Sequence, residues 1–555
     1  MAWYDSAVFY HIYPLGLCGC AKENKRERES HFEQLNEWAR HAKKIGCNAI
    51  YIGPLFESEG HGYETTDYRL VDCRLGTNED FKEFVKNCHN MGVKVIVDGV
   101  FNHTGRSFFA FQDIKKNREN SRYKDWYCNV NFYGNTEYND GFSYENWGGY
   151  NLLVKLNQRN PEVKQYHFDT IRFWVEEFDI DGIRLDAADV LDHDFMSEMR
   201  QVTDRLKPEF WLMGEVIHGD YSRWANNGKL HSVTNYELHK ALFSGHNDHN
   251  YFEIAHTIRR LNQLCKGIKL YTFADNHDVE RIYSKLNNKE HMYNVALLKY
   301  TVPGIPSIYY GSEFGIEGKK ERGSDWNLRP YLDLKDYENY DTENELTKLF
   351  VKLGKLKAEF AELTDGEYEE LLLTNRQYAY ARKFANTAVI TAMNNDDAMS
   401  HLEIRLPIHA SKAVDLLQAE EKSEEERKIA EEAIKKEAKE IEDIKKKEQI
   451  QKVQENLLEI QTACLTFSKR LEEWKEVLNK ANTVIETEKE FEKVKEAKKA
   501  LEEALQVLST SYGRKEEEKQ MAVGDRSIYN TQVQIRDGKL IVDLPANRGT
   551  IVYIS

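Results

Sequence analysis

The sequence has no CxxC pair, no excess of basic residues and no apolar run long enough to span a membrane. Its eight cysteines lack metal-type spacing, so we expect reduced thiols and no metal site. The net charge of -16 argues against a phosphate-binding surface, and neither nucleic acid nor a membrane is expected as a partner. The N-terminus has no signal-peptide pattern, which favours the cytoplasm.

The first part of the chain alternates short apolar runs with amphipathic helical stretches. Eight such units are typical of an α/β protein with a (β/α)8 TIM barrel, which we assign to residues 1–103 and 156–363. The chain of 555 residues has room for this barrel and smaller domains. The predicted strands are 7–14, 47–54, 93–100, 181–187, 210–216, 231–236, 271–277 and 306–312.

Residues 104–155 form a longer excursion after the third predicted strand. This stretch is rich in Tyr, Asn and Gly. Disordered linkers are usually poor in aromatic residues, so the composition favours a lid subdomain over a flexible insertion.

The C-terminal part is predicted to be an antiparallel β-sandwich over residues 364–417 and 521–555. Both stretches show strand-like alternation, and the RDGK sequence at 536–539 predicts a hairpin turn. Such a sandwich would be interrupted by residues 418–520.

The interrupting segment, 418–520, is predicted to be a helical bundle. No Gly or Pro occurs from Ile408 to Tyr512, and apolar residues recur at three-four spacing from Ile450 to Ile485, as in a coiled coil. Trp474 and the closing KKALEEALQVL also resemble the small helical modules called FIVAR. The hypotheses for this segment are partner binding, self-association or an inert insertion.

The stretch DGIRLDAAD, 181–189, places two charged residues on one face of a strand. Arg184 and Asp186 alternate with apolar neighbours, and an ion pair is the simplest explanation. Further charged or imidazole groups stand at or near other strand ends, at Asp98, His103, Glu215, His277 and Asp278. In a barrel, these groups would all face one mouth.

Several carboxylates in one cleft raise each other's pKa and cost stability, which points to acid, base or nucleophile chemistry. Glycosidic cleavage uses such a pair. A metal site is the competing interpretation, but the sequence has no HExxH motif, and His103 and His277 each follow an Asn rather than forming a helical pair. No GxSxG nucleophile motif lies near the strand ends.

Four segments, DGVFNH (98–103), GIRLDAAD (182–189), GEV (214–216) and NHD (276–278), resemble the four conserved regions of the α-amylase superfamily, glycoside hydrolase family 13. The resemblance implies that Asp186 is the nucleophile, Glu215 the general acid/base and Asp278 the third acid. It also implies two further roles. The substrate-binding residues would be Tyr63, Asp67, His103, Arg184 and His277, and the residues that support the site structurally would be Asp98 and Asn102. No cofactor is required, and structural calcium is possible but not predicted.

The stretch LLVKLNQRNPEV, 152–163, resembles the MPKLN segment of cyclomaltodextrinases, neopullulanases and maltogenic amylases. This likeness implies retaining cleavage of α-1,4 bonds in maltooligosaccharides or cyclodextrins, with α-1,6 cleavage and transglycosylation as further activities. Three departures from these relatives are visible. Ile217 stands where many relatives have Trp, and PLGLCGC stands in place of a PDRF-like sequence after the first strand. The first strand begins almost at Met1, without the amino-terminal β domain that many relatives carry.

Two alternatives stay open at this point. One is a 4-α-glucanotransferase or related transglycosylase on the same scaffold. The other is a non-catalytic carbohydrate-binding or scaffold protein that works through the helical insertion. The presence of Asp186, Glu215 and Asp278 together argues against the second alternative.

Overall fold

The computed structural model describes residues 2–418 and 533–555. Its strands are β1 (Phe9–Ile12), β2 (Ala49–Ile52), β3 (Phe56–Ser58), β4 (Thr65–Val71), β5 (Lys94–Gly99), β6 (His103–Thr104), β7 (Asn146–Trp147), β8 (Tyr150–Lys155), β9 (Gly182–Leu185), β10 (Trp211–Gly214), β11 (Ser232–Val233), β12 (Tyr271–Phe273), β13 (Ile305–Tyr309), β14 (Glu367–Leu373), β15 (Gln377–Phe384), β16 (Thr387–Asn394), β17 (Ser400–Arg405), β18 (Ala413–Asp415), β19 (Gln534–Arg536), β20 (Lys539–Leu544) and β21 (Gly549–Ile554).

The α-helices of the same residues are α1 (Pro14–Leu17), α2 (Phe32–Lys44), α3 (Asn78–Asn90), α4 (Phe109–Asn117), α5 (Pro161–Phe178), α6 (His193–Leu206), α7 (Tyr236–Asn247), α8 (Tyr251–Leu264), α9 (Ile282–Lys285), α10 (His291–Thr301), α11 (Tyr340–Glu343), α12 (Glu345–Glu359) and α13 (Ala361–Asp365). Local sequence sets their ends. In α3, Thr77 and Asp80 form a capping box, and Gly92 beyond the last turn has φ +67°.

Eight parallel strands form the predicted barrel. Their order is β11, β10, β9, β5, β2, β1, β13 and β12, and a bridge between Thr234 and Tyr271 joins the two ends of the sheet. Each of the eight predicted strands overlaps one of these. The TIM-barrel prediction is confirmed.

The barrel interior changes from apolar to charged along the strands. At its amino-terminal end, Phe9, Ile96 and Trp211 belong to one buried cluster, and the rings of Phe9 and Trp211 stack at 4.9 Å. Gly182 of β9 fits here because a Cβ at that position would lie 2.4 Å from the Trp211 carbonyl oxygen. Two residues further on, β9 carries Arg184. The strand alternation therefore builds an apolar floor beneath a charged layer.

The excursion after β5 forms the expected lid. It contains α4 and a small antiparallel sheet in the order β6, β8, β7. His103 pairs with Lys155 in this sheet, so the lid leaves the barrel and returns to it at the same place.

The C-terminal part contains the predicted antiparallel sheets. One has the order β14, β15, β16, β21, β18 and the other β17, β20, β19. Both sheets contribute to one buried apolar cluster, with Ile390 and Val552 from the first and Ile404 and Leu540 from the second. Two sheets sharing a core form a sandwich.

The sandwich strands β18 and β19 flank the long insertion. The amide of Val533 donates to the carbonyl oxygen of Ala413 at 2.8 Å. Apart from residue 418, the predicted helical bundle, its coiled-coil seam and its FIVAR-like stretch lie outside the described residues. Within residues 2–418 and 533–555, no helix combines the length and apolar character needed to cross a membrane.

Replacing Trp211 with Ala tests the apolar floor. We expect the free energy of unfolding to fall by about 3–5 kcal/mol, because a fully buried indole is replaced by a cavity. Chemical denaturation measures the change. Tyr133→Ala is the control: this ring is 101% exposed, and its removal should change stability by less than about 0.5 kcal/mol. Equal losses in both variants would contradict this account of the core.

Candidate active site

Four adjoining positions at the carboxyl ends of the barrel strands carry the charged layer. Asp98 lies near the end of β5, Arg184 lies in β9, and Asp186 and Glu215 directly follow β9 and β10. The register pairs Asp98 with Arg184, so neighbouring strands bring these side chains to the same level. The predicted convergence at one mouth is therefore present for these four residues.

Arg184 is the centre of this layer. Its Nη1 donates to Asp98 Oδ1 at 2.8 Å and to Asp186 Oδ1 at 2.9 Å, while its Nη2 lies 2.9 Å from Glu215 Oε2. Only 3% of its side chain is exposed. One buried guanidinium thus holds three carboxylates, where the sequence had predicted a pairing with Asp186 alone.

Asp98 also fixes two tyrosines above the apolar floor. Its Oδ2 accepts hydrogen bonds from Tyr51 OH at 2.7 Å and from Tyr63 OH at 3.0 Å. The Tyr63 hydroxyl also contacts His277 Nε2, and the two rings stack at 5.6 Å. The structural-support role of Asp98 stays a prediction, and these contacts are its observed surroundings.

Asp278 has a separate set of partners. His277 Nε2 lies 3.0 Å from Asp278 Oδ2, and Arg329 Nη2 donates to Asp278 Oδ1 at 3.0 Å. Arg329 also donates from Nε to the His277 carbonyl oxygen at 3.0 Å. Sequence reasoning missed Arg329, because it follows a short 3-10 turn in a stretch without a motif.

His103 and Asn102 lie beneath the mouth. Asn102 Nδ2 donates to His103 Nδ1 at 3.2 Å, which leaves Nε2 to donate to the Tyr63 carbonyl oxygen at 3.2 Å. Burial lowers the pKa of His103 to about 3, so this imidazole is neutral at pH 7.

The three acids differ in their affinity for protons. Burial raises the pKa of both Asp186 and Glu215, and the Arg184 guanidinium only partly opposes this. Burial acts on Asp278 in the same direction, but His277 and Arg329 outweigh it and hold the Asp278 pKa well below its ordinary value. The arrangement can therefore keep Asp278 ionised while a proton remains on the Asp186 and Glu215 pair.

The charged layer opens into a cleft of about 650 Å³. Barrel residues, lid residues and a loop after β13 all contribute to its wall. The lining residues include His61, Tyr63, His103, Trp147, Tyr150, Asp186, Glu215, Ile217, Asp278, Trp326 and Arg329. A wall of rings and carboxylates suits a ligand with both apolar faces and hydroxyl groups.

Asp67 is not brought to this cleft. It lies in β4, and its Oδ1 accepts a hydrogen bond from the Arg69 amide at 2.8 Å. Its predicted place beside the sugar came from its nearness to Tyr63 along the chain.

Tyr236 is a further residue at the site that sequence reasoning did not assign. Its hydroxyl lies 3.4 Å from Glu215 Oε1 and accepts a hydrogen bond from Asn276 Nδ2 at 3.1 Å. It starts α7, where a tyrosine carries no signal of its own. Only the fold brings it against Glu215.

Comparison with known proteins gives a consistent result. The family model for the alpha amylase catalytic domain matches residues 37–358. A cyclomaltodextrinase of Thermoanaerobacter pseudethanolicus is 32% identical over 71% of this chain and 71% of that protein. Neopullulanase 2 of Thermoactinomyces vulgaris is 30% identical over 76% of this chain and 74% of that protein. The crystal structure of a Nostoc punctiforme debranching enzyme is 27% identical, with a TM-score of 0.66, over 76% of this chain and 93% of that chain.

Arg184→Met tests the charged layer. The change leaves three buried carboxylates without their cation, so we expect the free energy of unfolding at pH 7 to fall by about 3–5 kcal/mol. The loss should shrink at pH 5, because Asp186 and Glu215 have raised pKa values in the folded state and bind protons there. Urea unfolding at both pH values measures it.

The control for this variant is Arg172→Met. Arg172 pairs with Asp169 on the surface, with 46% and 38% of the two side chains exposed. We expect a change below about 1 kcal/mol at either pH. A pH-independent loss in Arg184→Met would contradict the electrostatic explanation.

Proposed function

Because this chain belongs to the alpha-amylase family and is an α-glucan-active glycoside hydrolase, we propose that it cleaves α-1,4-glucosidic bonds in maltooligosaccharides and cyclodextrins with retention of anomeric configuration. One observation carries the proposal: Arg184 holds Asp186 and Glu215 from adjoining strands beside one cleft that Asp278 also lines. A retaining glycosidase uses two neighbouring carboxyl groups, one as the nucleophile and one as the general acid/base.

In the first step, Asp186 is the nucleophile. Its carboxylate oxygen forms a bond to the anomeric carbon while the bond to the glycosidic oxygen breaks. Glu215 gives its proton to that departing oxygen. The products of this step are a shortened glucan with a free hydroxyl and a glycosyl ester on Asp186.

In the second step, Glu215 acts as the base. Its carboxylate takes a proton from a water molecule, whose oxygen attacks the anomeric carbon and releases Asp186. Two inversions at this carbon give net retention. A sugar hydroxyl in place of water would give transglycosylation, so the acceptor alone separates the hydrolase from the glucanotransferase alternative.

The protonation states that this sequence of steps needs follow from the charges at the site. Burial favours one retained proton on the Asp186 and Glu215 pair. Positive charge that develops on the sugar in front of Asp186 favours the ionised form of that group, so the proton resides on Glu215. The Ala187 amide, which donates to Glu215 Oε2 at 3.0 Å, helps to aim this carboxyl.

Asp278 and Tyr63 act on the sugar ring. An Asp278 kept ionised by His277 and Arg329 stabilises positive charge on the ring at the transition state. Tyr63, whose hydroxyl is bound to Asp98, offers a ring face to the sugar in the same cleft. His103 and His277 are the predicted hydrogen-bonding partners of sugar hydroxyls, which would replace the present contacts of their Nε2 atoms with Tyr63.

The lid and the loop after β13 support a glucan substrate. Trp147 and Tyr150 come from the lid and Trp326 from the opposite loop, so rings stand on both sides of the cleft. Aromatic faces bind the apolar faces of sugars. The cyclomaltodextrinase and neopullulanase relatives support maltodextrins and cyclodextrins as substrates, and the debranching relative supports α-1,6 bonds as additional ones.

The proposed compartment is the cytoplasm, since the seven described cysteines are free thiols, as is typical of a reducing compartment. Partner binding or self-association through residues 418–520 stays a prediction from the coiled-coil pattern. Comparing the mass in solution of the full chain with that of a chain lacking these residues addresses it directly.

Parallel incubation with maltotriose, β-cyclodextrin and pullulan tests the proposal. We expect turnover of maltotriose and β-cyclodextrin, with α-anomeric products seen first by proton NMR. Asp186→Asn should lose about 10⁴-fold or more in kcat/KM. Asp67→Asn, outside the cleft, is the matched control and should retain activity. Initial β-anomers, or an active Asp186→Asn, would overturn the proposal, and products longer than maltotriose would identify transfer.

The pH dependence of kcat/KM tests the role of Glu215. Activity should fall as pH rises through its raised pKa, because the first step needs the protonated form. In Glu215→Gln, this alkaline fall should disappear. The activity of this variant on an aryl maltoside, whose leaving group needs no proton, should fall far less than its activity on maltotriose. An unchanged alkaline limb in Glu215→Gln would assign the acid to another residue.

A further inference from the structure

We propose that Cys20, Glu29 and His31 bind one divalent metal ion of the zinc type. One donor atom from each of these residues lies within 4.8 Å of the donor atoms of the other two. The residues belong to the segment between α1 and α2, outside the acids at the barrel mouth. The cysteine spacing alone did not indicate this site.

The donor set selects the metal. A thiolate, an imidazole and a carboxylate together suit Zn²⁺, whereas Ca²⁺ and Mg²⁺ prefer oxygen ligands alone. Donor atoms in a tetrahedral zinc site are about 3.5 Å apart. The three donors lie within 4.8 Å of one another and the Glu29 and His31 donors are 2.9 Å apart, so small side-chain movements would bring them to this spacing. Three protein ligands leave one position for water.

Backbone hydrogen bonds already hold the three residues in place. The Cys20 amide donates to the Leu15 carbonyl oxygen at 2.9 Å, the Glu29 amide to Cys73 at 2.9 Å and the His31 amide to Leu75 at 2.8 Å. Glu29 and His31 are thus fixed against residues 73–75, and the Cys20 thiol donates to the Arg74 carbonyl oxygen of the same segment at 3.4 Å. A site on a fixed frame loses little conformational entropy when it binds a metal ion.

The Glu29 carboxylate has no arginine or lysine partner among the described residues. Its partner is His31 Nε2 at 2.9 Å. Cys20 is 7% exposed. A cysteine binds a metal ion as the thiolate, so metal binding would release the thiol proton to solvent.

A second group, Glu57, Asp72 and Cys73, provides a contrast. Its carboxylates already have cationic partners: Arg26 pairs with Glu57, and Arg74 donates two hydrogen bonds to Asp72, at 2.8 and 2.7 Å. A metal ion there would have to displace two guanidinium groups. The Cys73 thiol is therefore a matched control for Cys20.

The site has a structural consequence for the cleft. Lys22, two residues after Cys20, places its Nζ 5.3 Å from the ring centre of Trp326, which lines the cleft. A metal ion at Cys20, Glu29 and His31 would close the chain on both sides of Lys22. The ion would thereby stabilise one rim of the cleft without touching the substrate.

Calorimetric titration of the chelator-treated full chain with ZnCl₂ tests the proposal. We expect one ion per chain, with a heat that depends on the buffer because a proton is released. Co²⁺ should give a thiolate-to-cobalt charge-transfer absorption. Cys20→Ser should abolish this absorption, and both Cys20→Ser and His31→Ala should weaken binding at least about tenfold. Cys73→Ser should bind as the unmodified chain does.

The melting temperature separates ligand loss from misfolding. Zinc should raise the Tm of the unmodified chain and of Cys73→Ser, and should raise that of Cys20→Ser by clearly less. Glu29→Gln keeps the side-chain shape and should retain the cobalt absorption with weaker binding. Absence of stoichiometric zinc binding, or full binding by a folded Cys20→Ser, would overturn the proposal.

Discussion

The arrangement at the barrel mouth depends on one buried cation that is outnumbered by its anions. Arg184 is surrounded by Asp98, Asp186 and Glu215, so the layer has an excess of negative charge if all three acids are ionised. A buried ion pair is stable only when every charge has partners. Hydroxyl groups of Tyr51 and Tyr63 serve Asp98, while the other two carboxyls open toward the cleft. Under the proposed mechanism, the proton that acid catalysis needs would be retained because of this incomplete neutralisation.

Asp278, which lines the same cleft, shows the opposite balance between carboxylate and partner groups. Its two oxygens face His277 and Arg329, two cationic or hydrogen-bonding partners for one acid. The same residue type therefore has a raised pKa at position 186 and a lowered one at position 278. Different partners, rather than different side chains, separate a proton-retaining pair from a permanently charged acid.

Much of this arrangement could be predicted from the sequence because it depends on strand periodicity. Alternation located the eight strands, and an acid at a strand end in a barrel can point only to the mouth. Residues such as Arg329 and Tyr236 could not be found this way, since they reach the site from turns and helix starts. Asp67 shows the reverse error: four residues beyond Tyr63 along the chain, it lies in a strand outside the cleft wall. The grouping of Cys20 with Glu29 and His31 likewise depends on contacts with residues 73–75, made by the Cys20 thiol and by the Glu29 and His31 amides, which no local spacing reveals.

The hydrogen bond between Val533 and Ala413 has a consequence for how this protein could have acquired its long insertion. Because the chain leaves the sandwich and re-enters it at adjacent points, the sheets require nothing of the intervening residues except that their two ends meet. The entropy of closing such a loop grows only with the logarithm of its length, about 0.6 kcal/mol for each doubling. This edge of the sandwich is therefore a place where evolution, or a protein engineer, can exchange whole modules while leaving the catalytic machinery unaltered.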